Sequence, residues 1–182
     1  MQFWDNVAWI VARGAGFTAY GLLTLAVAVG LALSLKLQSV EWPRMFNNEM
    51  HNYLTLLAMV FTGVHVVAIW LDPFTHYGLG AMLLPFVSTY RPFWMGLGII
   101  AFYLGIAIGI STLLRSRIGY ARWRQFHTLT LVIYVLATLH GLFAGTDGGQ
   151  WWSTIVYLAS ALLVGALFWQ RMETPAKPAT RR

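Results

Sequence analysis

Four of the five histidines in this 182-residue chain fall inside long apolar stretches, and their spacing is paired. His51 and His65 stand fourteen residues apart, His127 and His140 thirteen. An ionisable ring at membrane depth is costly to place and is a functional hypothesis by default. A neutral imidazole is also a common metal ligand, well suited to iron. One such histidine reads equally well as a hydrogen-bonded packing residue. Two pairs of nearly equal spacing on two segments favour ligation.

The donor set narrows the metal. Each pair offers two imidazoles, and no carboxylate or thiolate lies in the same apolar stretches. Zinc takes four ligands, while magnesium and calcium take oxygens. A haem iron brings four equatorial nitrogens of its own and needs the protein only at its two axial positions. With no cysteine in the chain, covalent c-type attachment, iron–sulfur clusters and disulfides are all excluded. The expectation is two haem b groups, with His51, His65, His127 and His140 as iron ligands. Both axial positions would then be filled, so transfer is expected at the haem edge.

The elements that must carry these rings are legible in the hydropathy. Apolar stretches run over 14–35, 50–71, 92–114, 126–145 and 151–170, none with Lys, Arg, Asp or Glu inside it. Each approaches or exceeds the ~20 residues that span a bilayer core. Only 10% of the chain is charged and 58% is hydrophobic, against roughly 25% charged in soluble domains. The fold class expected is an all-α integral membrane bundle of about five transmembrane helices with two stacked b-haems. Segment 1–13 reads as an outer interfacial piece, 14–170 as the transmembrane domain, and 171–182 as a basic, disordered cytoplasmic tail. The stretch 79–87 in the longest loop is too short to span and reads as interfacial or re-entrant.

Parallel second and fourth spans would place His51 with His127 and His65 with His140. Fourteen residues rise about 21 Å and thirteen about 19.5 Å, so two sites fit one above the other. On an ideal helix His51 and His65 share a stripe, about 40° off. His127 and His140 fall about 140° apart, so a tilt, supercoil or local bulge is required in the fourth span. Ala58 and Tyr134 lie midway between the paired histidines. Gly63 and Gly141 flank the outer pair, and Gly105-x-x-x-Gly109 reads as a helix contact.

Charge sets the expected orientation. Arg115, Arg117, Arg122 and Arg124 fill one loop, and Arg171, Lys177, Arg181 and Arg182 the tail, so both are expected in the cytoplasm. The N-terminus then lies outside and the C-terminus inside a bacterial inner membrane. The net charge of +6 thus reads as an orientation signal, with no nucleic acid as partner. Arg13 and Arg91 are stranded on the outer side and are candidates to pair with haem propionates. Arg124, with Arg122 and Arg44, is a candidate on the inner side. His76 reads as a solvent-exposed loop residue.

Paired histidines on two parallel helices separated by one helix resemble the ferric reductase-like transmembrane domain. That domain is the haem-bearing core of ferric reductases, NADPH oxidases and the membrane haem subunit of the bacterial methionine-sulfoxide reductase system. Val64-His65-Val66-Val67, Leu71-Asp72-Pro73, Tyr90-Arg91-Pro92, Trp123-Arg124-Gln125-Phe126-His127 and the run His140–Asp147 are similar to small stand-alone bacterial members. The resemblance implies electron transfer across the lipid membrane through two haems. No strand–Gly-rich–helix segment follows residue 170, so a separate electron donor is expected, either a flavoprotein reductase or a quinol. The expected acceptor is a ferric chelate or a periplasmic redox protein. The alternative is a quinol-oxidising membrane-anchor subunit of an extracytoplasmic oxidoreductase. A third reading is a scaffold whose histidines only pack.

Overall fold

Apolar segments of this length have one stable answer in lipid, the helix, because every backbone N–H and C=O must be satisfied within the segment. A computed structural model describes residues 2–37, 43–73 and 77–174. Eight helices are formed by the described residues: α1 (Gln2–Leu35), α2 (Arg44–Leu71), α3 (Leu79–Leu83), α4 (Pro92–Leu113), α5 (Arg115–Ile118), α6 (Tyr120–His127), α7 (Thr130–Ala144) and α8 (Trp151–Glu173). Five stretches are long and apolar enough to cross a membrane: Asn6–Leu35, Arg44–Leu71, Pro92–Leu113, Tyr120–Ala144 and Trp151–Glu173. Between 11% and 33% of the most apolar window in each is buried inside the bundle. The remainder, including Leu113, Leu162 and Trp169, faces outward, which is the surface of a multi-pass membrane protein.

Residues 2–13, expected as an outer interfacial segment leading into the first span, belong to the same helix as that span, with no break at Arg13 and Gly14. His76 and most of the basic tail lie outside the described residues. Prolines mark helix starts: Pro43 immediately precedes α2, and Pro92 is the first residue of α4. Arg91, just before Pro92, sits in the left-handed region at φ 42°. That conformation is uncommon for a non-glycine residue. The Arg91 side chain reaches across to the Phe143 carbonyl through Nη1 (2.5 Å).

α1 and α2 form the most extensive helix pair in the bundle. The contact face of α1 is a seam of small residues, with Ala12, Ala15, Ala19 and Ala26 all buried. Small side chains let two helix backbones approach closely where lipid provides no hydrophobic drive between them. α4 packs on α7, and α8 packs mainly on α1. Tyr20 of α1 ties α7 to α8. The Tyr20 hydroxyl lies 2.7 Å from Ser160, 3.2 Å from Thr138 and 3.3 Å from the Tyr134 hydroxyl. Tyr134 stacks on Tyr20, so its ring belongs to this α1–α7–α8 core, the packing reading of that residue. Gly141 serves the same core, because a side chain there would collide with the Tyr157 hydroxyl. Nothing lies within 4 Å of a Cβ built at Gly63, and Gly105 faces Met59 of α2 at 3.6 Å.

The fourth span is not one ideal helix. Between α6 and α7 the hydrogen bonds shift toward i→i−3: Thr128 N–H to both Arg124 and Gln125, Leu129 N–H to Phe126, Leu131 N–H to Thr128. A turn wound this way advances about 120° per residue rather than 100°. The tightened turn therefore recovers part of the 140° misfit between His127 and His140 that called for a tilt, supercoil or local bulge.

The loop before α4 folds over the end of the bundle that carries His65 and His140. Phe86 packs against Gly96 and stacks on Phe93. Tyr103 Oη donates to the Leu83 carbonyl of α3, and Tyr90 Oη to the Ala144 carbonyl.

Candidate haem-ligand site

The histidines meet as the parallel-span geometry requires. His51 and His127 face each other with ring centres 5.9 Å apart and planes at 74°. His65 and His140 face each other at 6.4 Å and 81°. An imidazole nitrogen binds a first-row metal ion at about 2.0–2.1 Å and sits about 1.2 Å from its own ring centre, so two imidazoles sharing one ion place their centres roughly 6.4 Å apart. Both pairs are near that separation. No group of three or more His, Cys, Asp or Glu side chains converges among the described residues. A centre held by either pair must therefore bring its remaining ligands with it. Haem does so, and the donor set fits it.

Three of the four rings are oriented by one repeated device. Nδ1 of His65 donates to the Ala12 carbonyl (2.7 Å), Nδ1 of His51 to the Ala26 carbonyl (2.8 Å), and Nδ1 of His140 to the Trp94 carbonyl (2.9 Å). Four residues beyond each acceptor stands a glycine: Gly16, Gly30 and Gly98. A Cβ at Gly16 would lie 2.9 Å from His65 Nδ1, at Gly30 3.2 Å from His51 Cε1, and at Gly98 2.5 Å from His140 Nδ1. In each case the missing side chain opens the helix surface, so the ring lies flat against it and reaches a carbonyl already used by the helix. A proton fixed on Nδ1 leaves Nε2 with its lone pair free for a metal, and the acceptor raises its basicity.

These glycines and carbonyls were not singled out from sequence. The available signal was arithmetic: Gly16 and Gly30 are fourteen apart, as are Ala12 and Ala26, matching His51 and His65 on the antiparallel neighbour.

The arginines are placed less uniformly. Arg13 is engaged by a two-pronged ion pair, Nε to Asp147 Oδ2 at 2.8 Å and Nη2 to Oδ1 at 2.6 Å. That tie gives Arg13 a partner within the chain. Arg91 spans from the Tyr90 ring to the Phe143 carbonyl. It lines a shallow cavity of about 370 Å³ with Pro92, Phe93, Trp94 and Phe143, three residues from His140. At the opposite end Arg124 lines a cavity of about 490 Å³ with Tyr120, Ala121, Gln125 and Thr128, beside His127. Arg91 and Arg124 thus flank the two sites, one at each end.

A family profile described as ferric reductase like transmembrane component matches residues 15–138. The match takes in His51, His65 and His127 and ends two residues before His140. No match is found among curated proteins or solved structures. The matched stretch covers about two thirds of the chain, from the first span into the fourth, and on that basis the chain belongs to the ferric reductase-like transmembrane family.

Proposed function

We propose that this protein carries electrons across a bacterial inner membrane through two non-covalent b-type haems, one between His51 and His127 and one between His65 and His140. The observation that carries the reading is the double pairing of imidazoles at near metal-bridging separation. Haem iron held there supplies reversible one-electron chemistry. The chain's own part is positional. Four imidazoles fix the centres at two depths about 20 Å apart. Backbone carbonyls lock three of those rings. Apolar helices exclude water, and with it side reactions of the reduced state.

Arg91 and Arg124 are suited to anionic groups at the two ends by charge-assisted bonds. The basic loop 115–124 supports a cytoplasmic position for the His51/His127 end, with the N-terminus outside. The donor on that side is a flavoprotein reductase or a quinol. The acceptor on the far side is a ferric chelate or a periplasmic redox protein.

Reconstitution tests this directly. Purified protein in sealed vesicles, with a ferric chelate trapped inside and an impermeant reductant outside, should reduce the chelate. Vesicles carrying His65→Ala protein should not. Equal rates in protein-free vesicles and in vesicles with the wild-type chain would refute it.

A further inference from the structure

His127 lacks the device that holds the other three histidines. Its Nδ1 is buried and has no protein acceptor among the described residues. The reason lies in α4. That helix supplies Gly98 and the Trp94 carbonyl to His140; thirteen and fourteen residues beyond Gly98, toward His127, it carries Ser111 and Thr112 rather than glycine, and fourteen beyond Trp94 lies Ile108. Both hydroxyls donate to the Ile108 carbonyl (2.8 and 2.9 Å). The acceptor that a fourth copy of the device would offer is therefore screened by side chains and already occupied.

Trp123 stands in its place. It lies one turn before His127 and stacks on the imidazole, ring centres 4.9 Å apart and planes at 26°. Its Nε1–H donates to Thr112 Oγ1 at 3.1 Å, which ties the indole to α4. The Arg115 guanidinium sits 5.1 Å from the same indole, and Tyr120 packs at 5.5 Å. The tightened turn follows immediately, at residues 128–129. His127 thus rests on a stacking contact beside an irregular turn, where its counterparts rest on a hydrogen bond inside a regular helix.

We propose that Trp123, anchored through Thr112, is the positioning residue for His127, and that His127 is the one releasable ligand of the four. The inference rests on the haem-binding reading above. A stack holds the plane of a ring but does not direct its Nδ1, whereas a carbonyl acceptor directs that nitrogen. The stack also supplies no acceptor for the Nδ1 proton, and a carbonyl acceptor behind a ligating imidazole is worth roughly 10–100-fold in metal affinity. The His51/His127 site is accordingly the one at which a small exogenous ligand gains entry.

The test uses the full chain, purified with its haem, in four forms: wild type, Trp123→Leu, Trp123→Phe and Thr112→Val. Carbon monoxide binding to the reduced protein, the midpoint potentials of the two components and the haem-to-chain ratio are read together. Trp123→Leu should open one component to carbon monoxide, about half the total haem absorbance, and shift the midpoint of that component alone. Trp123→Phe keeps a ring to stack but loses the Nε1–H tie to Thr112, and should give a partial effect well short of Trp123→Leu. Thr112→Val, the milder change, should give a partial effect on the same component. Carbon monoxide inertness in Trp123→Leu, equal damage in Trp123→Leu and Trp123→Phe, or loss at both sites would each overturn the proposal. A wild-type protein without two six-coordinate haems would fail earlier, and would take the functional reading with it.

Discussion

Adding one methyl group at three helix positions should have three graded effects on haem retention. At Gly98 a Cβ would fall 2.5 Å from His140 Nδ1, 2.7 Å from Cε1 and 2.8 Å from Cγ. Non-bonded carbon contacts settle near 3.5–4.0 Å, so the His140 ring must retreat by about 1 Å. Its bond to the Trp94 carbonyl is 2.9 Å long, and such a retreat takes it beyond the ~3.2 Å limit of a good N–H···O bond. At Gly16 the closest approach is 2.9 Å to His65 Nδ1, and at Gly30 3.2 Å to His51 Cε1, requiring about 0.6 and 0.3 Å by the same reasoning. Overpacking costs about 1–3 kcal/mol, and loss of an orienting acceptor costs roughly 10–100-fold in metal affinity. Gly98→Ala should therefore lose most of the His65/His140 haem, with the haem-to-chain ratio falling toward one. Gly16→Ala should weaken that same site less, and Gly30→Ala should leave the ratio near wild type. The assay is haem per chain during titration against apomyoglobin as a haem acceptor. Equal losses in Gly30→Ala and Gly98→Ala, or loss of the same spectral component in both, would refute the reasoning.

Three further outcomes are expected. The imidazole planes cross at 74° and 81°, so low-temperature EPR of the oxidised protein should show the strongly anisotropic low-spin signals of perpendicular ligand planes; rhombic signals typical of parallel planes would contradict the geometry. His51→Ala and His127→Ala should remove one and the same spectral component, and His65→Ala and His140→Ala the other; different components lost within a pair would break the assignment of ligands to sites. Asp147→Asn should lower thermal stability by about 1 kcal/mol or less, as for partly exposed ion pairs, with the haem ratio unchanged. If Arg13→Ala instead strips the His65/His140 haem while Asp147→Asn does not, Arg13 serves a propionate rather than the loop.

Much of the site was legible because periodicity is strict in a membrane helix. Apolar runs free of charge located the five spans. Parallel directions for the second and fourth then dictated which histidines meet. The angular misfit between His127 and His140 called for a tilt, supercoil or local bulge, but not specifically for the tightened turn at Thr128 and Leu129. What escaped was set by pairs of helices rather than by one. The roles of Gly16, Gly30 and Gly98 depend on which helix lies opposite, and on register to within one residue. Arg13 looked like a free cation because its partner, Asp147, is 134 residues away along the chain. Tyr134 looked midway between the sites by count, but its rotation toward Tyr20 depends on α8.

The most direct test is the number of haems per chain, from pyridine haemochrome absorbance against quantitative amino-acid analysis, with a reduced-minus-oxidised spectrum on the same sample. Two acid–acetone-extractable haems per chain, both low-spin, are expected from the pairs His51/His127 and His65/His140. A ratio near one, a colourless folded protein, or haem that remains with the denatured chain would contradict the two-site assignment.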